Sequence, residues 1–291
     1  MPVVQIWDIR ETAFNYSKFF DLDGTLLDSK RRMSDKTKIT LKNCAEKGYK
    51  LFIVTARPPL LTRMVSWAEE ETEKENILSL FVGGSYYNGG CIKIDEHKEY
   101  IFISAESVEN IINSVQKHSK INIALQLEDE KHAFRFPLDD KGYKSWGITA
   151  EEAISLNQAK ELKTVKILIF YSNLIDSVSP INESLVTELK TICENNAHFY
   201  LTDKGTCVQI MGKSVSKALS IEKIRKQYGF EKDEIAVFGD DINDMEMLAG
   251  YPFSVAMGNA EMQVKNIARY ITFDNDNDGI YEAIHNILKL L

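Results

Sequence analysis

Two carboxylates stand one residue apart near the start of the chain, directly after a short apolar run. Asp21 and Asp23 follow that run, and Gly24-Thr25 provides the expected break after it. The pattern places both acids at the carboxyl end of a strand, the edge where open parallel sheets bind ligands. Neighbouring carboxylates repel each other and lose hydration when buried, so a cation should pair with them. Because hard divalent ions prefer carboxylate oxygen, the spacing predicts a site for a divalent metal ion, with an ordinary acidic turn as the alternative.

Further polar side chains occur where other predicted elements end or begin. Thr55 follows a second buried-strand run, and Lys217 opens a helical segment late in the chain. Asp240, Asn243 and Asp244 crowd the turn after a third such run. Each has a simpler interpretation: a strand-end hydroxyl, a surface lysine, and a helix start whose acids suit the helix dipole. The acid and amide groups of the last turn are unusually dense for that purpose, which favours a metal site.

The elements that would position these residues alternate between helices and strands. Helical spacing of apolar residues and short continuous apolar runs define them. Strands separated by helices favour parallel pairing through right-handed crossovers. The predicted helices lie at residues 34–48, 60–74, 216–228, 243–250, 261–268 and 279–291, the predicted strands at 49–54, 77–82, 234–238 and 253–257, and an optional edge strand at 3–7.

A different pattern interrupts this alternation in the middle of the chain. Glycine and asparagine crowd residues 83–90, which predicts a domain boundary there. Beyond it, strand pairs alternate with helices, as in an α+β module built on a largely antiparallel sheet. The predicted fold is therefore α/β: a Rossmann-like parallel sheet core (residues 1–89 and 203–291) with an inserted α+β cap domain (residues 90–202).

The overall composition narrows the classes of function. The 291 residues carry a formal net charge of −8, and 44% of them are hydrophobic, enough for a substantial core. An acidic chain argues against nucleic acid or an anionic membrane as a partner, although a small phosphate site needs only local positive charge. No apolar run approaches the roughly 18 residues of a membrane span. The four scattered cysteines are typical of free thiols in a reducing compartment, so we expect a cytoplasmic protein.

Taken together, these positions resemble, in order and type, the four motifs of the haloacid dehalogenase superfamily, most of whose members are phosphohydrolases. The likeness extends over the chain apart from residues 1–17. The insertion between the second and third motifs is similar to that of the Cof-type sugar-phosphatase branch, as are three short sequences outside it. The residues that carry the resemblance are Asp21-Leu-Asp-Gly-Thr-Leu-Leu-Asp28, Thr55, Ser214-Val-Ser-Lys217, Gly239-Asp-Asp-Ile-Asn-Asp244, Asn88-Gly89, Gly258-Asn-Ala260 and Asp278-Gly279.

The resemblance implies a role for each catalytic side chain. Asp21 would be the nucleophile that forms an aspartyl-phosphate, and Asp23 the general acid and base. Thr55 would donate a hydrogen bond to the phosphoryl group, and Lys217 would place positive charge against it. The implied activity is Mg²⁺-dependent hydrolysis of a small phosphorylated metabolite, with sugar phosphates as the expected class.

The same resemblance implies how the cofactor and the phosphate would be held. Asp21, Asp240 and the backbone carbonyl of Asp23 would bind Mg²⁺, with Asp244 as a ligand or as support for one. The expected phosphate-binding residues are Gly24, Thr25, Ala56, Arg57 and Asn243.

Alternatives remain for the function and for two of these residues. A phosphosugar mutase-type phosphoryl transferase would use a sugar hydroxyl in place of water, and a non-catalytic phosphometabolite-binding protein would use the site only to bind. Arg57 could pair with a core acid, and Asn243 could position Lys217. No pattern in the sequence sets an oligomeric state.

Two regions outside the motifs also carry expectations. The cap should close over the site and set specificity, with Arg135, Lys141, Lys144 and Trp146 among its polar and aromatic candidates. The acidic turn at residues 274–279 has the opening spacing of an EF-hand loop, but its twelfth position is not glutamate. We therefore expect a solvated polar turn before the last helix.

Overall fold

The structure is a computed structural model that describes residues 16–61, 76–171 and 179–291. The predicted edge strand at residues 3–7 lies outside these ranges, as does most of the helix predicted at residues 60–74. Within the described residues the strands form two sheets. In chain order the strands are β1 (Ser17–Phe20), β2 (Lys50–Val54), β3 (Phe81–Tyr86), β4 (Cys91–Ile94), β5 (His97–Tyr100), β6 (Ile121–Leu127), β7 (His132–Phe134), β8 (Ala153–Ser155), β9 (Thr164–Tyr171), β10 (Ala197–Thr202), β11 (Cys207–Gly212), β12 (Ile235–Gly239), β13 (Phe253–Ala256) and β14 (Tyr270–Ile271).

The five longest α-helices that the structure describes each follow a residue whose side chain accepts a hydrogen bond from a free backbone N–H. Ser34, Ser104 and Ser216 each precede a helix and accept a hydrogen bond from the third residue beyond. The α-helices are α1 (Asp35–Glu46), α2 (Ala105–Gln116), α3 (Asp140–Trp146), α4 (Glu183–Cys193), α5 (Lys217–Tyr228), α6 (Met245–Gly250), α7 (Met262–Lys265) and α8 (Gly279–Glu282).

The larger sheet has the strand order β14-β13-β12-β1-β2-β3-β4-β5. Its strands are parallel from β14 to β3, while β4 and β5 are antiparallel additions. The central strand β1 is buried on both faces, where Phe19 stacks on Phe52 at 4.6 Å and Phe20 on Phe238 at 4.7 Å between ring centroids. Burial on two faces explains the continuous apolar run before Asp21. The predicted parallel α/β core is confirmed.

The smaller sheet has the order β10-β11-β9-β6-β7-β8 and is antiparallel except for the β7–β8 pair. Helices α2 and α4 cover one face, where Ile111 and Leu185 pack among buried residues of β6 and β9. On the opposite face, Phe134 and Phe170 pack against Leu60, which belongs to the core segment of the chain. The cap therefore presents to the core the sheet face that its helices leave uncovered.

Sheet membership differs from both predicted domain boundaries. The hairpin β4–β5 extends the core sheet by pairing with β3, although residues 90–100 were assigned to the cap. Strand β11 pairs with β9 and β10 in the cap sheet, although residues from 203 onward were assigned to the core. The reason is that the glycine-rich cluster and the turn at residues 203–205 each close a hairpin within one sheet. We place the two crossings between β5 and α2 and between β11 and α5.

Several short elements escape the sequence patterns. Helix α3 and strands β8 and β14 are not predicted, because each is too short to show a period. The helix predicted at residues 279–291 is α-helical only over α8 and continues as a π-helical turn, Ala283–Ile287. All four cysteines are free thiols. Among the helices that the structure describes, none combines the length and the apolar character needed to cross a membrane.

Candidate active site

Three neighbouring parallel strands end at the same edge of the core sheet and bring the first, second and fourth motifs together. Asp21 follows β1, Thr55 follows β2 and Asp240 follows β12. The N–H of Asp21 donates to the carbonyl of Phe238 at 3.0 Å, and the N–H of Thr55 donates to the carbonyl of Ser85 at 2.8 Å. These bonds continue the ladder by one residue beyond the strands and so fix where the side chains begin.

A buried lysine joins two of the acids. The Lys217 Nζ lies 2.7 Å from Oδ1 of Asp21 and 2.7 Å from Oδ1 of Asp244, and only 1% of its side chain is exposed. Burial alone would lower the pKa of Lys217, but the two carboxylates outweigh it and raise that pKa. Burial, together with repulsion from Asp244 and Asp240, raises the pKa of Asp21 against the opposing effect of Lys217. The ammonium is therefore fixed in its charged form beside Asp21.

Asp244 is held from both sides. Its Oδ2 accepts hydrogen bonds from the backbone N–H groups of Asp240 at 2.9 Å and Asp241 at 3.0 Å, while its Oδ1 accepts from Lys217. The turn after β12 forms a reciprocal cap in which Asp241 and Asp244 each bond the other's backbone. Asp244 thus fixes both the lysine and the loop that carries Asp240.

Asp240 joins the fourth motif, to which it belongs, to the first. Its Oδ1 accepts a hydrogen bond from the Thr25 hydroxyl at 2.9 Å, and its Oδ2 accepts from the Asn259 amide at 3.1 Å. The same amide donates to the Gly24 carbonyl at 3.0 Å. Gly24 has a φ of +78°, and a Cβ there would overlap the Asp240 carboxylate, so only glycine fits. Burial and repulsion from Asp244 raise the pKa of Asp240 to about 7.

The acids of the site form a donor set suited to Mg²⁺. Asp21, Asp240 and Asp244 each offer a carboxylate oxygen, and these oxygens lie within 4.8 Å of one another. Burial, together with repulsion among the acids, raises the pKa values of Asp21 and Asp240 despite the opposing charge of Lys217. A hard divalent cation prefers such an all-oxygen set and would relieve the repulsion. The side chain of Asp23 does not belong to this group.

Asp23 is paired with Arg57 instead. The Arg57 Nε and Nη2 lie 2.6 Å from Oδ2 and Oδ1 of Asp23, a two-pronged contact between the first and second motifs. The side chain of Asp23 is 48% exposed, whereas that of Asp21 is 7% exposed. Burial raises the pKa of Asp23, but the hydrogen bonds and charge of Arg57 outweigh it and hold the pKa below its usual range. The two carboxylates of the first motif therefore have different environments.

The loop after β2 holds Thr55 in a donating orientation. The hydroxyl oxygen of Thr55 accepts a hydrogen bond from the backbone N–H of Arg57 at 3.1 Å. That bond occupies a lone pair of the oxygen and leaves the hydroxyl proton available for another acceptor. Thr55 is 1% exposed and lies at the same sheet edge as Asp21.

Among the described residues, no side-chain hydrogen bond joins Asn243 to Lys217 or to a carboxylate of the acid group. The Asn243 amide donates to Oδ1 of Asn88 at 3.0 Å, and the Asn88 amide donates to Oε1 of Gln209 at 3.0 Å. Gln209 lies on β11 and donates in turn to the Thr202 hydroxyl at 2.9 Å. The buried Oδ1 of Asn243 has no hydrogen-bond partner among the described residues. This amide relay links the fourth motif to the cap.

The four cap residues predicted as candidates for substrate specificity lie at a helix end, on the surface or in an aromatic cluster. Arg135 donates from its guanidinium to the carbonyls of Val115, Gln116, His118 and Ile121, so it satisfies the C-terminal end of α2. Lys141 and Lys144 are exposed on α3, and Trp146 packs in an aromatic cluster with His132, Phe134 and Phe170. Arg135 therefore has a structural role.

The acidic turn at residues 274–279 supports the loop of the first motif. Asp276 accepts from the backbone N–H of Ser29 at 2.8 Å, and Asp278 accepts from the Ser34 hydroxyl at 2.7 Å. The Asn275 amide donates to the carbonyl of Leu27 at 2.8 Å. These carboxylates are engaged by protein donors, as expected for a polar turn, although the turn packs on a neighbouring loop.

Sequence reasoning assigned no site role to three residues of this region. Asn259 holds Asp240 and Gly24, Asn88 stands at the centre of the relay, and Lys166 reaches the loop after β2 from the cap. Asn88 and Asn259 lie in the short sequences that mark the resemblance, which was a signal for them. For Lys166, the signal was a lysine inside the apolar strand run of β9.

Known proteins were compared with the chain at the level of sequence and of structure. The family of haloacid dehalogenase-like hydrolases matches residues 18–284. Two Bacillus subtilis proteins named 5-amino-6-(5-phospho-D-ribitylamino)uracil phosphatase are similar to the chain: one is 26% identical over 279 residues (93% of this chain, 96% of its own length), the other 24% over 269 residues (91% and 93%).

Solved structures of related proteins share the whole architecture. A sugar phosphatase of subclass IIB in the same superfamily aligns with a TM-score of 0.75 at 22% identity, covering 94% of this chain and 100% of its own. A haloacid dehalogenase-like hydrolase from Bacteroides thetaiotaomicron aligns with a TM-score of 0.76 at 24% identity, with the same coverage. Both likenesses confirm the fold of the core with its inserted cap.

Proposed function

Because the chain belongs to the haloacid dehalogenase-like hydrolase family and has relatives named as phosphatases, we propose that it is a Mg²⁺-dependent phosphatase of small phosphorylated metabolites. The observation that carries this proposal is the pairing of buried Asp21 with Lys217 beside two further acids at one sheet edge. A carboxylate held this way is positioned as a nucleophile toward an anionic group. Sugar phosphates are the proposed substrate class, in keeping with the sugar phosphatase that shares the fold.

In the first proposed step, an oxygen of Asp21 attacks phosphorus. The new bond joins Asp21 to phosphorus, and the bond between phosphorus and the ester oxygen breaks. Asp23 gives a proton to the departing alkoxide, so the alcohol leaves neutral. Since Arg57 favours the ionised form of Asp23, the incoming substrate must loosen that pair before Asp23 can act as an acid.

In the second proposed step, water cleaves the aspartyl-phosphate. Asp23, now ionised, takes a proton from the attacking water. Before this transfer, Arg57 stabilises the ionised carboxylate of Asp23. The bond between phosphorus and Asp21 breaks, releasing inorganic phosphate and the free carboxylate. The different environments of Asp21 and Asp23 suit one nucleophile and one proton carrier.

Other residues would stabilise the charge on the phosphoryl group. Thr55 donates its free hydroxyl proton, and Lys217 supplies a fixed positive charge beside the attacking carboxylate. Asp21 and Asp240 would hold Mg²⁺, with Asp244 and Asn259 orienting them. When bound, the ion supplies charge neutralisation and orientation for the phosphoryl oxygens.

The proposal is tested by hydrolysis of p-nitrophenyl phosphate with Mg²⁺ and with chelator. We expect turnover by the wild type with Mg²⁺, and none by Asp21→Asn, whose amide cannot act as the nucleophile. Asp28→Asn is the matched control, because Asp28 lies in the same motif but pairs with Arg32 away from the acids. Turnover by Asp21→Asn would refute the role of Asp21, and Mg²⁺-independent turnover would refute the cofactor.

If the aryl substrate is not hydrolysed, a panel of sugar monophosphates replaces it before the proposal is abandoned. A narrow cap can reject a bulky aryl group, so only failure with both substrate types counts against phosphatase activity. Analysis of the products separates hydrolysis, which releases inorganic phosphate, from transfer to a second sugar hydroxyl.

The expected cytoplasmic location also remains a proposal, supported by four free thiols.

A further inference from the structure

Three successive backbone carbonyls in the loop after β2 accept hydrogen bonds from different parts of the molecule. The carbonyl of Thr55 accepts from the N–H of Asn88 at 2.9 Å, and that of Arg57 accepts from the N–H of Tyr87 at 3.0 Å. Both donors belong to the turn after β3, which is part of the core. The carbonyl between them, that of Ala56, accepts from the Lys166 Nζ at 2.9 Å. The middle of the loop is therefore held by the cap.

Lys166 reaches this carbonyl from the open face of the cap sheet. It lies on β9 with the same parity as Phe170, on the face that packs against Leu60 of the core. Its neighbours in the strand with the opposite parity, Ile167 and Ile169, pack toward the cap helices. Lys166 is 2% exposed, so its ammonium lies inside the junction of cap and core.

The ammonium of Lys166 has no carboxylate at hydrogen-bonding distance among the described residues. The carbonyl of Ala56 is its one hydrogen-bond acceptor within the described part of the chain, although an ammonium has three donors. Charged and titratable groups facing it are Lys217, Cys207 and Asp203, from α5, β11 and the turn after β10. Burial, and repulsion by Lys217, lower the pKa of Lys166 to about 7. An uncompensated buried ammonium costs stability, which calls for a functional reason.

We infer that Lys166 is a positioning residue, which holds the Thr55–Arg57 loop in its working geometry only while the cap lies against the core. In the proposed reaction Thr55 faces the phosphoryl group, and Arg57 controls the protonation state of Asp23. The inference therefore rests on the proposed function. Loss of the Lys166 contact leaves the loop anchored at its two outer carbonyls but free in the middle. The position of the cap would thus affect both catalytic steps through the one hydrogen bond between Lys166 and Ala56.

The kinetic test compares Lys166→Met, Lys166→Arg and the control Lys160→Met, which removes an exposed lysine of the cap. For Lys166→Met we expect kcat/KM to fall by about 10²-fold through kcat, because small misplacements of catalytic groups cost that much. The loss should be larger for a sugar phosphate than for p-nitrophenyl phosphate, since a poor leaving group depends more on proton donation from Asp23. Lys166→Arg should restore part of the rate, and Lys160→Met should behave as wild type.

A merely structural lysine gives a different outcome. Its removal would lower the melting temperature and reduce both substrates' rates equally, which would overturn the inference. Wild-type kinetics in Lys166→Met would also overturn it, while leaving the proposed phosphatase function intact.

A second measurement is independent of turnover. Hydrogen–deuterium exchange of peptides covering residues 52–61 should be faster in Lys166→Met than in the wild type and in Lys160→Met. Unchanged exchange would refute the anchoring role even if the wild type hydrolysed none of the substrates, an outcome that would count separately against the proposed function.

Discussion

Two buried lysines, Lys217 in the core and Lys166 in the cap, have different surroundings. Lys217 of the core touches Asp21 and Asp244, and these acids raise its pKa. Lys166 of the cap donates to the Ala56 carbonyl, its one hydrogen-bond acceptor among the described residues, and burial lowers its pKa to about 7. The charge of Lys217 is fixed by partners in its own domain, whereas this acceptor of Lys166 lies across the junction. Charge that must always be present is paired, whereas charge that depends on cap position is left uncompensated.

The first prediction tests the paired side of this comparison. Lys217→Met leaves two buried carboxylates without their cation, so we expect a loss of about 3–5 kcal/mol in the free energy of unfolding. Activity should fall by at least about 10²-fold, because a donor of charge stabilisation is lost. Chemical denaturation and kcat measured on the same preparation check both effects. A stable and active variant would contradict the pairing as described.

The second prediction concerns Asn259, which stabilises the core site without carrying charge. Asn259→Ala removes the amide that holds Asp240 and Gly24, and we expect Mg²⁺ to activate the enzyme with about 10–100-fold weaker affinity. Gln263→Ala is the control, since the exposed Gln263 donates its side-chain amide to Glu261, which is also exposed. Equal Mg²⁺ dependence in both variants would show that Asp240 needs no such support.

The third prediction tests the uncompensated side through stability. An unfolded lysine binds a proton near pH 10.5 but folded Lys166 only near pH 7, so its cost is complete below about pH 7 and vanishes above about pH 10.5. Lys166→Met should therefore be more stable than the wild type by about 1–4 kcal/mol at pH 6, with the gain shrinking as the pH rises. Chemical denaturation at pH 6 and at higher pH, with Lys160→Met as the reference, measures the difference in the free energy of unfolding. A destabilised variant at pH 6 would contradict it.

The smallest effect is expected at the uncharged link between the domains. Gln209→Leu removes the oxygen that accepts from the Asn88 amide and the amide that donates to the Thr202 hydroxyl. The Asn88 amide then keeps a weak sulfur acceptor on Met211, while the Thr202 hydroxyl still donates to Asp203, and the loss should cost about 1–3 kcal/mol in unfolding free energy. Because Asn243 remains bonded to Asn88, we expect the rate to fall less than in Lys166→Met. Steady-state kinetics of Gln209→Leu and Lys166→Met, measured side by side, check this order. A slower Gln209→Leu would contradict the inference that Lys166 is the residue of the cap that holds the loop.

The sequence predicted the groups whose position follows from strand ends. Asp21, Thr55 and Asp240 lie side by side because β1, β2 and β12 are neighbours, and the apolar runs before them were readable. The pairing of Arg57 with a core acid is one of two alternatives that the sequence leaves open, and the structure contains the pair of Arg57 with Asp23.

What could not be predicted depends on contacts between distant segments. Lys166 bonds a backbone carbonyl 110 residues away, and a carbonyl has no sequence signature. The predicted boundaries differ from the sheet membership for a related reason, since glycine marks a hairpin turn within a sheet as readily as a crossing between domains. Arg135 looked like a substrate contact because its acceptors are carbonyls at the end of α2, which the sequence does not distinguish from any others.

The amide relay and the Lys166 contact also bear on how such enzymes diversify. Gln209 and Lys166 belong to the cap, yet their partners, Asn88 and Ala56, belong to the core. A cap transplanted from a relative would dock on this core only if it brought a donor to Ala56 and an amide to Asn88. Specificity could then be altered freely on the remaining cap surface, while these two positions would have to be inherited together with the core.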